Sequence, residues 1–178
     1  MSVKISPFAS AFAVPLEYMQ ALNPSKRLVV GVAIATSSSL LTPNPTSSKR
    51  LLIVRRAASE SDFAGLYELP GGGSEPEDNN LIDTVVRETI EETGLKVTEV
   101  LGTFEGFEYE TKGGKSVEFN FLVRVNEGKG AAVKLNPEEH DTYAWVGPED
   151  AETLQEKWGL SGAMEVCVKD ALEVLESI

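Results

Sequence analysis

The stretch LPGGGSEPEDNNLIDTVVRETIEETGL, residues Leu69–Leu95, decides how the chain is organised. Its second half predicts a helix, which Asn79 or Asn80 caps at the start because side-chain oxygens there accept from free backbone N–H groups. Asp83 falls in the first turn, where a carboxylate is favourable. Gly94 suits the left-handed position that ends a helix. The segment therefore predicts a glycine-rich loop followed by a capped helix.

Three glutamates have helical spacing in this segment. Glu88, Glu91 and Glu92 stand at i, i+3 and i+4, so their carboxylates share one narrow helix face. Arg87 can reach Glu91 four residues further on and hold that carboxylate. The opposite side, expected to face the core, carries Val85, Val86, Thr89 and Ile90.

Carboxylates this close repel one another unless a cation neutralises them, and oxygen-rich clusters suit Mg²⁺ or Mn²⁺. A solvated acidic helix face is the alternative for an isolated E-x-x-E-E. The preceding Pro-Gly-Gly-Gly, residues 70–73, favours the metal site because glycines let the backbone approach the helix closely.

The segment resembles the Nudix box, G-x5-E-x7-R-E-U-x-E-E-x-G-U, where U is a bulky apolar residue. Asn79 stands where the box has a glutamate, and Thr89 stands at the first apolar position after the Arg-Glu pair. Asp78 or Glu77 is the candidate replacement for the missing carboxylate. The second half of the box matches at Arg87, Glu88, Glu91, Glu92, Gly94 and Leu95.

The resemblance implies a Nudix-type α/β/α sandwich with a mixed β-sheet in a single α/β domain. It also implies a pyrophosphohydrolase that needs Mg²⁺ or Mn²⁺, bound by Glu88, Glu91, Glu92 and the Gly72 carbonyl. Arg87 would orient Glu91. A catalytically weak Nudix-fold nucleotide-binding module is the alternative. An isomerase of the same fold would need a reactive cysteine near the site, and Cys167, the single cysteine, falls in an apolar helical pattern.

A substrate-binding arginine is expected at the end of a strand. Arg50–Ala57 predicts a strand whose last residues approach the segment around Glu68 that leads into the glycine loop. In MutT-type relatives, an arginine in a matching R-R-A holds substrate phosphate, so Arg56 and Glu68 are the substrate-binding candidates. Solvated surface arginines are the equally weighted alternative.

A further glutamate precedes a predicted Trp-Val strand. Relatives carry such a glutamate as general base or extra metal ligand, and the spacing to Trp145 favours Glu139 over Glu138. A charged loop rim is the alternative. His140, the single histidine, is interpreted as a loop residue with local hydrogen bonds. The catalytic candidates are therefore Arg87, Glu91, Glu92 and Glu139.

Composition limits the partners. A net charge of -12 argues against nucleic-acid polymers and anionic membranes, so a small nucleotide is the expected partner, with a homodimer allowed. No apolar run approaches the ~20 residues that span a bilayer. The apolar run Phe8–Val14 lacks the features of a secretion signal, and a single cysteine allows a reducing compartment, so a cytoplasmic location is expected.

The rest of the chain predicts strands and a terminal helix. Residues 1–26 are expected to form an ordered N-terminal extension with a short helix at Leu16–Leu22, and residues 27–178 the Nudix domain. Ser161 can cap a final helix with an apolar stripe that includes Val166, Leu172 and Leu175. The predicted strands are Leu28–Thr36, Arg50–Ala57, Val97–Glu110, Ser116–Val125 and Tyr143–Val146, and the predicted loops include 37–48 and 128–130.

The identity of the substrate stays open. A nucleoside diphosphate linked to another group is expected, which covers nucleotide sugars, ADP-ribose, dinucleoside polyphosphates and (d)NTPs. The asparagine with which MutT-type enzymes read the base has no counterpart after Asn136. Tyr109 could stack on a base, and a packing role is equally compatible with a strand tyrosine.

Overall fold

The computed structural model describes residues 3–36, 49–126 and 132–178. The two predicted loops at 37–48 and 128–130 lie outside the described residues. Within these residues, four helices and eight strands follow one another, with short 3₁₀ segments at Ser10–Phe12 and Pro148–Thr153. The helices are α1 (Leu16–Leu22), α2 (Leu81–Thr93), α3 (Leu154–Trp158) and α4 (Gly162–Ser177). The strands are β1 (Lys4–Ile5), β2 (Arg27–Thr36), β3 (Arg50–Arg56), β4 (Tyr67–Glu68), β5 (Gly71–Gly73), β6 (Val97–Thr111), β7 (Gly114–Val125) and β8 (His140–Val146).

The eight strands form one mixed sheet with the order β1-β6-β7-β2-β3-β4. β6 and β7 are an antiparallel hairpin, as the glycines at 113 and 114 predict, and β2 runs parallel to β7. Along its other edge, β2 pairs first with β5 and then with β3. We call β5 the glycine strand. It pairs with the first part of β2 and β3 pairs with the last part, so the glycine strand lies near the middle of the sheet.

Helices cover both faces of the sheet. One core contains Val30, Val32 and Ile34 of β2 and packs against α1 and α2. Ala33 and Ala35 of the same strand face the other core, which packs against α4. Alternate residues of β2 are therefore buried on opposite faces, which explains its continuous apolar sequence. This is the predicted α/β/α arrangement with a mixed sheet.

The N-terminal segment is ordered, and α1 begins and ends at the predicted residues. β1 adds to the edge of the sheet beside β6. Phe12 contacts Phe119 and Phe121 with ring centroids 5.6 and 5.2 Å apart, and Met19 is buried in the first core. The segment before residue 27 therefore packs as part of the main core, and its treatment as a separate extension stays a prediction.

The final helix begins after Ser161, whose hydroxyl accepts from the Met164 N–H at 3.3 Å. Leu172, Leu175 and Cys167 are buried, and burial raises the pKa of the Cys167 thiol to about 11, so it is a packing residue. Val166 is 57% exposed, and its prediction as a core residue was wrong. It lies on the helix face that turns away from the sheet. No helix among residues 3–36, 49–126 and 132–178 is long and apolar enough to cross a bilayer.

Candidate active site

α2 carries the box glutamates, and its two ends are fixed as predicted. The Asn80 side chain accepts from the N–H groups of Ile82 and Asp83 at 2.9 and 3.1 Å. Gly94 ends the helix with φ of 68° and donates to the Ile90 carbonyl. The Ile90 side chain itself is 42% exposed, so the expectation that it faces the core was wrong. The buried side of α2 is instead shared between apolar residues and two glutamates.

Glu88 and Glu92 are the buried carboxylates, and both contact the glycine strand. The Gly71 N–H donates to Glu92 Oε2 at 2.8 Å. A Cβ at Gly72 would lie only 2.4 Å from Glu88 Oε1, so a side chain there would displace the Glu88 carboxylate. The glycines thus allow two carboxylates to lie directly against a backbone strand. Glu91 differs, because its side chain is 54% exposed.

The surroundings of these two groups disfavour their ionised forms. Burial raises the pKa of Glu88, and burial raises the pKa of Glu92 well above the ordinary carboxyl value. The negative charge of Glu139 acts on both groups and raises both pKa values further. Buried like charges of this kind are costly without a cation. The donor set therefore fits a divalent metal ion.

Arg87 connects the helix to the loop before it. Its guanidinium donates to Asp78, to Glu88 at 2.9 Å, to Glu91 at 3.0 Å and to the Gly73 carbonyl at 2.8 Å. The predicted Arg87–Glu91 pair is therefore present. Hydrogen bonding to Asp78 raises the pKa of Arg87, so the group stays charged. These four acceptors therefore fix the position of the Arg87 guanidinium.

Asp78 occupies the place of the missing box carboxylate. Its side chain is buried, binds Arg87 through both oxygens and accepts from the Thr84 hydroxyl at 2.9 Å. Burial alone would raise the pKa of Asp78, but the hydrogen bonds from Arg87, the Glu75 backbone and Thr84, together with the Arg87 charge, more than offset it, so the pKa is lowered. Asn79 instead donates to Asp83 at 2.7 Å. Of Asp78 and Glu77, the two candidate replacements for the box carboxylate, Asp78 is the one that binds Arg87.

Glu139 lies beside the α2 carboxylates. Ligand atoms of Glu92, Glu139 and His140 are all within 4.8 Å of one another. Glu139 is half-buried, whereas Glu138 is exposed. The choice of Glu139 over Glu138 stays a prediction. The Glu139 carbonyl accepts from the Ala57 N–H at 2.7 Å, which ties this loop to the end of β3.

His140 was not predicted to belong to the site. It is 2% exposed at the start of β8, with Nε2 at 3.2 Å from Glu68 Oε1. Its Nδ1 is buried without a hydrogen-bond partner in the described part of the chain. The interpretation as a loop residue was wrong because the strand begins three residues earlier than the Tyr143–Val146 pattern predicts. The adjacency of two glutamates and a histidine was the available signal.

Arg56 and Glu68 line a cavity of about 490 Å³ that opens beside the glycine strand. Arg56 already has protein acceptors: Glu68 at 2.9 Å, Glu60 at 2.5 Å and the Asp62 carbonyl at 2.8 Å. Phosphate binding by Arg56 would therefore compete with two carboxylates.

Arg27, which sequence reasoning missed, lines the same cavity. Its guanidinium lies at Gly73, where it would be 2.6 Å from an added Cβ. It forms no ion pair with the residues that the structure describes. An exposed, unneutralised guanidinium beside the glycine strand is a second candidate for contact with an anionic ligand.

A mixed sheet lies between helices, and a glycine strand lies against a helix of buried glutamates. The model of the NUDIX domain matches residues 38–165, and the chain belongs to the Nudix family. The expected family and fold are therefore confirmed.

Individual relatives are distant. The chain is 30% identical over 102 residues to the CTP pyrophosphohydrolase of Escherichia coli, which covers 57% of this chain and 70% of that protein. It is 34% identical over 96 residues to the m7GpppN-mRNA hydrolase NUDT17 of Danio rerio, over 52% of this chain and only 30% of that protein. A solved Ap4A hydrolase from C. elegans superposes with a TM-score of 0.63 at 19% identity, covering 85% of this chain and 99% of that one. Such a likeness carries the fold alone.

Proposed function

We propose that this protein hydrolyses a phosphoanhydride bond in a nucleoside diphosphate linked to another group, with Mg²⁺ or Mn²⁺ at the α2 carboxylates. One observation carries the proposal. Glu88 and Glu92 are buried side by side against Gly71 and Gly72, with Glu139 adding a third negative charge. Such a cluster is unfavourable by itself and suits a cation that in turn binds phosphate oxygens.

The residues that would hold the metal are Glu88, Glu91, Glu92 and the Gly72 carbonyl. The Gly71 N–H binds Glu92 and Arg87 binds Glu88, whereas Glu91 is held by Arg87 at 3.0 Å and is exposed to solvent. A bound divalent cation would neutralise phosphate charge and lower the pKa of a coordinated water. Hard oxygen ligands favour Mg²⁺ or Mn²⁺ over softer metals.

The chain's own residues would position and deprotonate the attacking water. Glu139 is the proposed general base, because its carboxylate lies near Glu92 but belongs to the loop before β8 and not to α2. His140, whose ligand atom lies within 4.8 Å of that of Glu139, is itself held by Glu68 at 3.2 Å. Arg87 would act only through the carboxylates it orients, since its donors all bind protein acceptors.

The substrate would lie along the glycine strand with its phosphates at the cluster. Arg56 and Glu68 form one wall of the adjoining cavity, and Arg27 lies at Gly73. A substrate that fits would therefore carry a polyphosphate and a second group that fills the adjoining cavity, whose walls are partly apolar and partly polar. Nucleotide sugars, ADP-ribose, dinucleoside polyphosphates and (d)NTPs meet this description. Relatives named for CTP and for capped RNA agree with a nucleotide.

A product screen tests this proposal. The purified protein is incubated with members of the four substrate classes in Mg²⁺ or Mn²⁺, and products are resolved by ion-exchange chromatography. We expect metal-dependent cleavage between phosphorus atoms for at least one class, abolished by EDTA. The matched controls are Glu92→Gln, which should remove the activity, and Glu138→Gln, which should keep it. Absence of cleavage in every class, or cleavage that EDTA leaves unchanged, contradicts the proposal.

A further inference from the structure

Glu118 has a buried carboxyl group that the proposed chemistry does not use. It lies on β7 opposite Val29 of β2 and is 7% exposed. Its Oε1 atom has no hydrogen-bond partner within residues 3–36, 49–126 and 132–178. Burial raises the pKa of Glu118 to about 7, with the charge of Glu68 adding to the effect. A buried acceptor in this state is unfavourable unless a donor reaches it.

Asn120 presents a second unpaired oxygen at the same place. Its side-chain amide donates to the Glu105 carbonyl at 2.7 Å and contacts Cys167 Sγ at 3.4 Å, which fixes the direction of the Oδ1 atom. That oxygen is also buried without a partner among the described residues. Both oxygens stand over Gly31, at 2.2 Å (Asn120) and 2.8 Å (Glu118) from the position of an added Cβ. Gly31 therefore makes room for two acceptors.

Glu118 faces the cavity of about 490 Å³, which is of the size that holds small ligands. Aromatic rings form other parts of its wall. Phe107 and Tyr109 lie with ring centroids 5.5 Å apart, and exposed Phe63 lies at the edge with a left-handed φ of 56°. Flat apolar walls of this kind bind flat ring systems by stacking.

The cavity joins the candidate catalytic cluster through the glycine strand. Gly71–Gly73 line it, and the charge of Glu68 acts on both Glu92 and Glu118. A ligand with its phosphates at the cluster would therefore extend its other end toward Glu118. This placement rests on the proposed function.

We propose that Glu118 accepts a hydrogen bond from the amino group of a nucleobase, so that the protein selects amino-bearing bases over their oxo counterparts. Adenine, cytosine and guanine carry such an amino group. When Glu118 is ionised, a carbonyl oxygen in the same position, as in uracil or hypoxanthine, would face the carboxylate and leave it without a donor. Sites built around a hydrogen bond reject the analogue that lacks it far more strongly than apolar sites reject a change of size.

The test compares matched bases without any hydrolysis. Binding of CMP against UMP and of AMP against IMP is measured by calorimetry at about pH 8, where most of Glu118 is ionised. Each pair differs only at the amino or oxo group and at the ring nitrogen beside it. In at least one pair, the parent should bind the amino member at least about tenfold more tightly. Glu118→Leu should remove that preference. Glu118→Gln, which keeps the shape and adds a donor, should reduce it to within about threefold.

Glu108→Gln is the matched control, since Glu108 also lines the cavity but is exposed and paired with Lys26. It should keep the parent's preference. Equal binding within both pairs, no measurable binding of any of the four, or an unchanged preference in both Glu118 variants would overturn the inference.

Hydrolysis of CTP, UTP, ATP and ITP is scored separately to distinguish the two proposals. Hydrolysis without an amino preference overturns the role of Glu118 and leaves the proposed function standing. Glu118-dependent amino selectivity in binding, without hydrolysis of any nucleotide, supports the role of Glu118 and contradicts the proposed function.

Discussion

Arg87 donates two hydrogen bonds to Asp78, from Nε to Oδ1 at 3.2 Å and from Nη2 to Oδ2 at 2.9 Å. The same guanidinium holds Glu88 and Glu91, so Asp78 positions the helix carboxylates indirectly. We expect Asp78→Asn to lower kcat about tenfold or more, the usual cost of losing a residue that orients metal ligands. KM should change little. A kcat within twofold of the parent would contradict this positioning role.

Asp78 should also contribute to stability in a pH-dependent way. Its folded-state pKa is lowered, so the contribution is complete above the ordinary value of 3.8 and is lost as the pH falls through the folded-state value. The free energy of unfolding of Asp78→Asn should be roughly 1–3 kcal/mol below that of the parent at pH 7. The gap should shrink below about pH 4. Urea unfolding of both proteins from pH 3 to 7 measures it, and a constant gap would count against the ion pair.

Asn79→Glu restores the carboxylate that the Nudix box would have at this position. Arg87 already binds Asp78, and the Asn79 amide donates to Asp83. The new carboxylate would face Asp83 and lose that hydrogen bond, so we expect a modest loss of stability of about 1 kcal/mol or less. Activity should stay within about threefold of the parent. Thermal unfolding and steady-state kinetics check both values, and a large fall in activity would show that Asn79 has a catalytic part.

Substitution of Glu139 distinguishes a general base from a metal ligand. If it removes a proton from water, Glu139→Gln should lower kcat about 10²-fold with little change in KM. Mn²⁺ should still bind with nearly native affinity, measured by electron paramagnetic resonance of free Mn²⁺. Exposed Glu138 provides the control, since Glu138→Gln should leave both quantities unchanged. A Glu139 variant that loses Mn²⁺ as severely as Glu92→Gln would make the residue a ligand.

Glu118 makes stability depend on pH in the opposite direction to Asp78. Its folded-state pKa of about 7 lies above the ordinary 4.5 because of burial, with Glu68 adding to the shift. Below pH 4.5 both states hold the proton, and as the pH rises the unfolded chain ionises first, so the folded state becomes relatively less stable. Glu118→Gln removes this loss. The variant should gain roughly 3 kcal/mol in unfolding free energy relative to the parent between pH 4.5 and 8. A difference independent of pH would contradict the buried, unpaired carboxyl.

The sequence predicted the architecture because its patterns are local. The caps at Asn80 and Gly94, the β6–β7 hairpin and the continuous apolar β2 each follow from residues close together in the chain. The two wrong core residues, Ile90 and Val166, have a common cause. An apolar residue beside a helix stripe is buried only if a neighbouring element covers it, and periodicity does not show which element does.

The site was less predictable because its parts meet across long distances in sequence. Glu92 and Glu139 are brought together by the sheet, and His140 becomes buried only because β8 pairs with β3. The hydrogen bonds that Arg56 donates to Glu60 and Glu68 also depend on the fold. The sequence pattern did not indicate that Glu118 is buried, since strands with alternating apolar and polar residues commonly carry glutamates that face water. Its burial follows from Gly31 on the neighbouring strand.

In the proposed function, the buried α2 carboxylates bind the catalytic metal. Glu92 is the sharpest position to change, because in Glu92→Gln the amide oxygen can still accept from the Gly71 N–H and keep the local structure. The direct measurement is kcat as a function of Mn²⁺ concentration for the parent and this variant. We predict a kcat at saturating Mn²⁺ at least about 10²-fold lower in the variant, with half-saturation shifted to higher Mn²⁺. A variant with parental kcat and parental half-saturation, folded by circular dichroism, would contradict the assignment of α2 as the metal site.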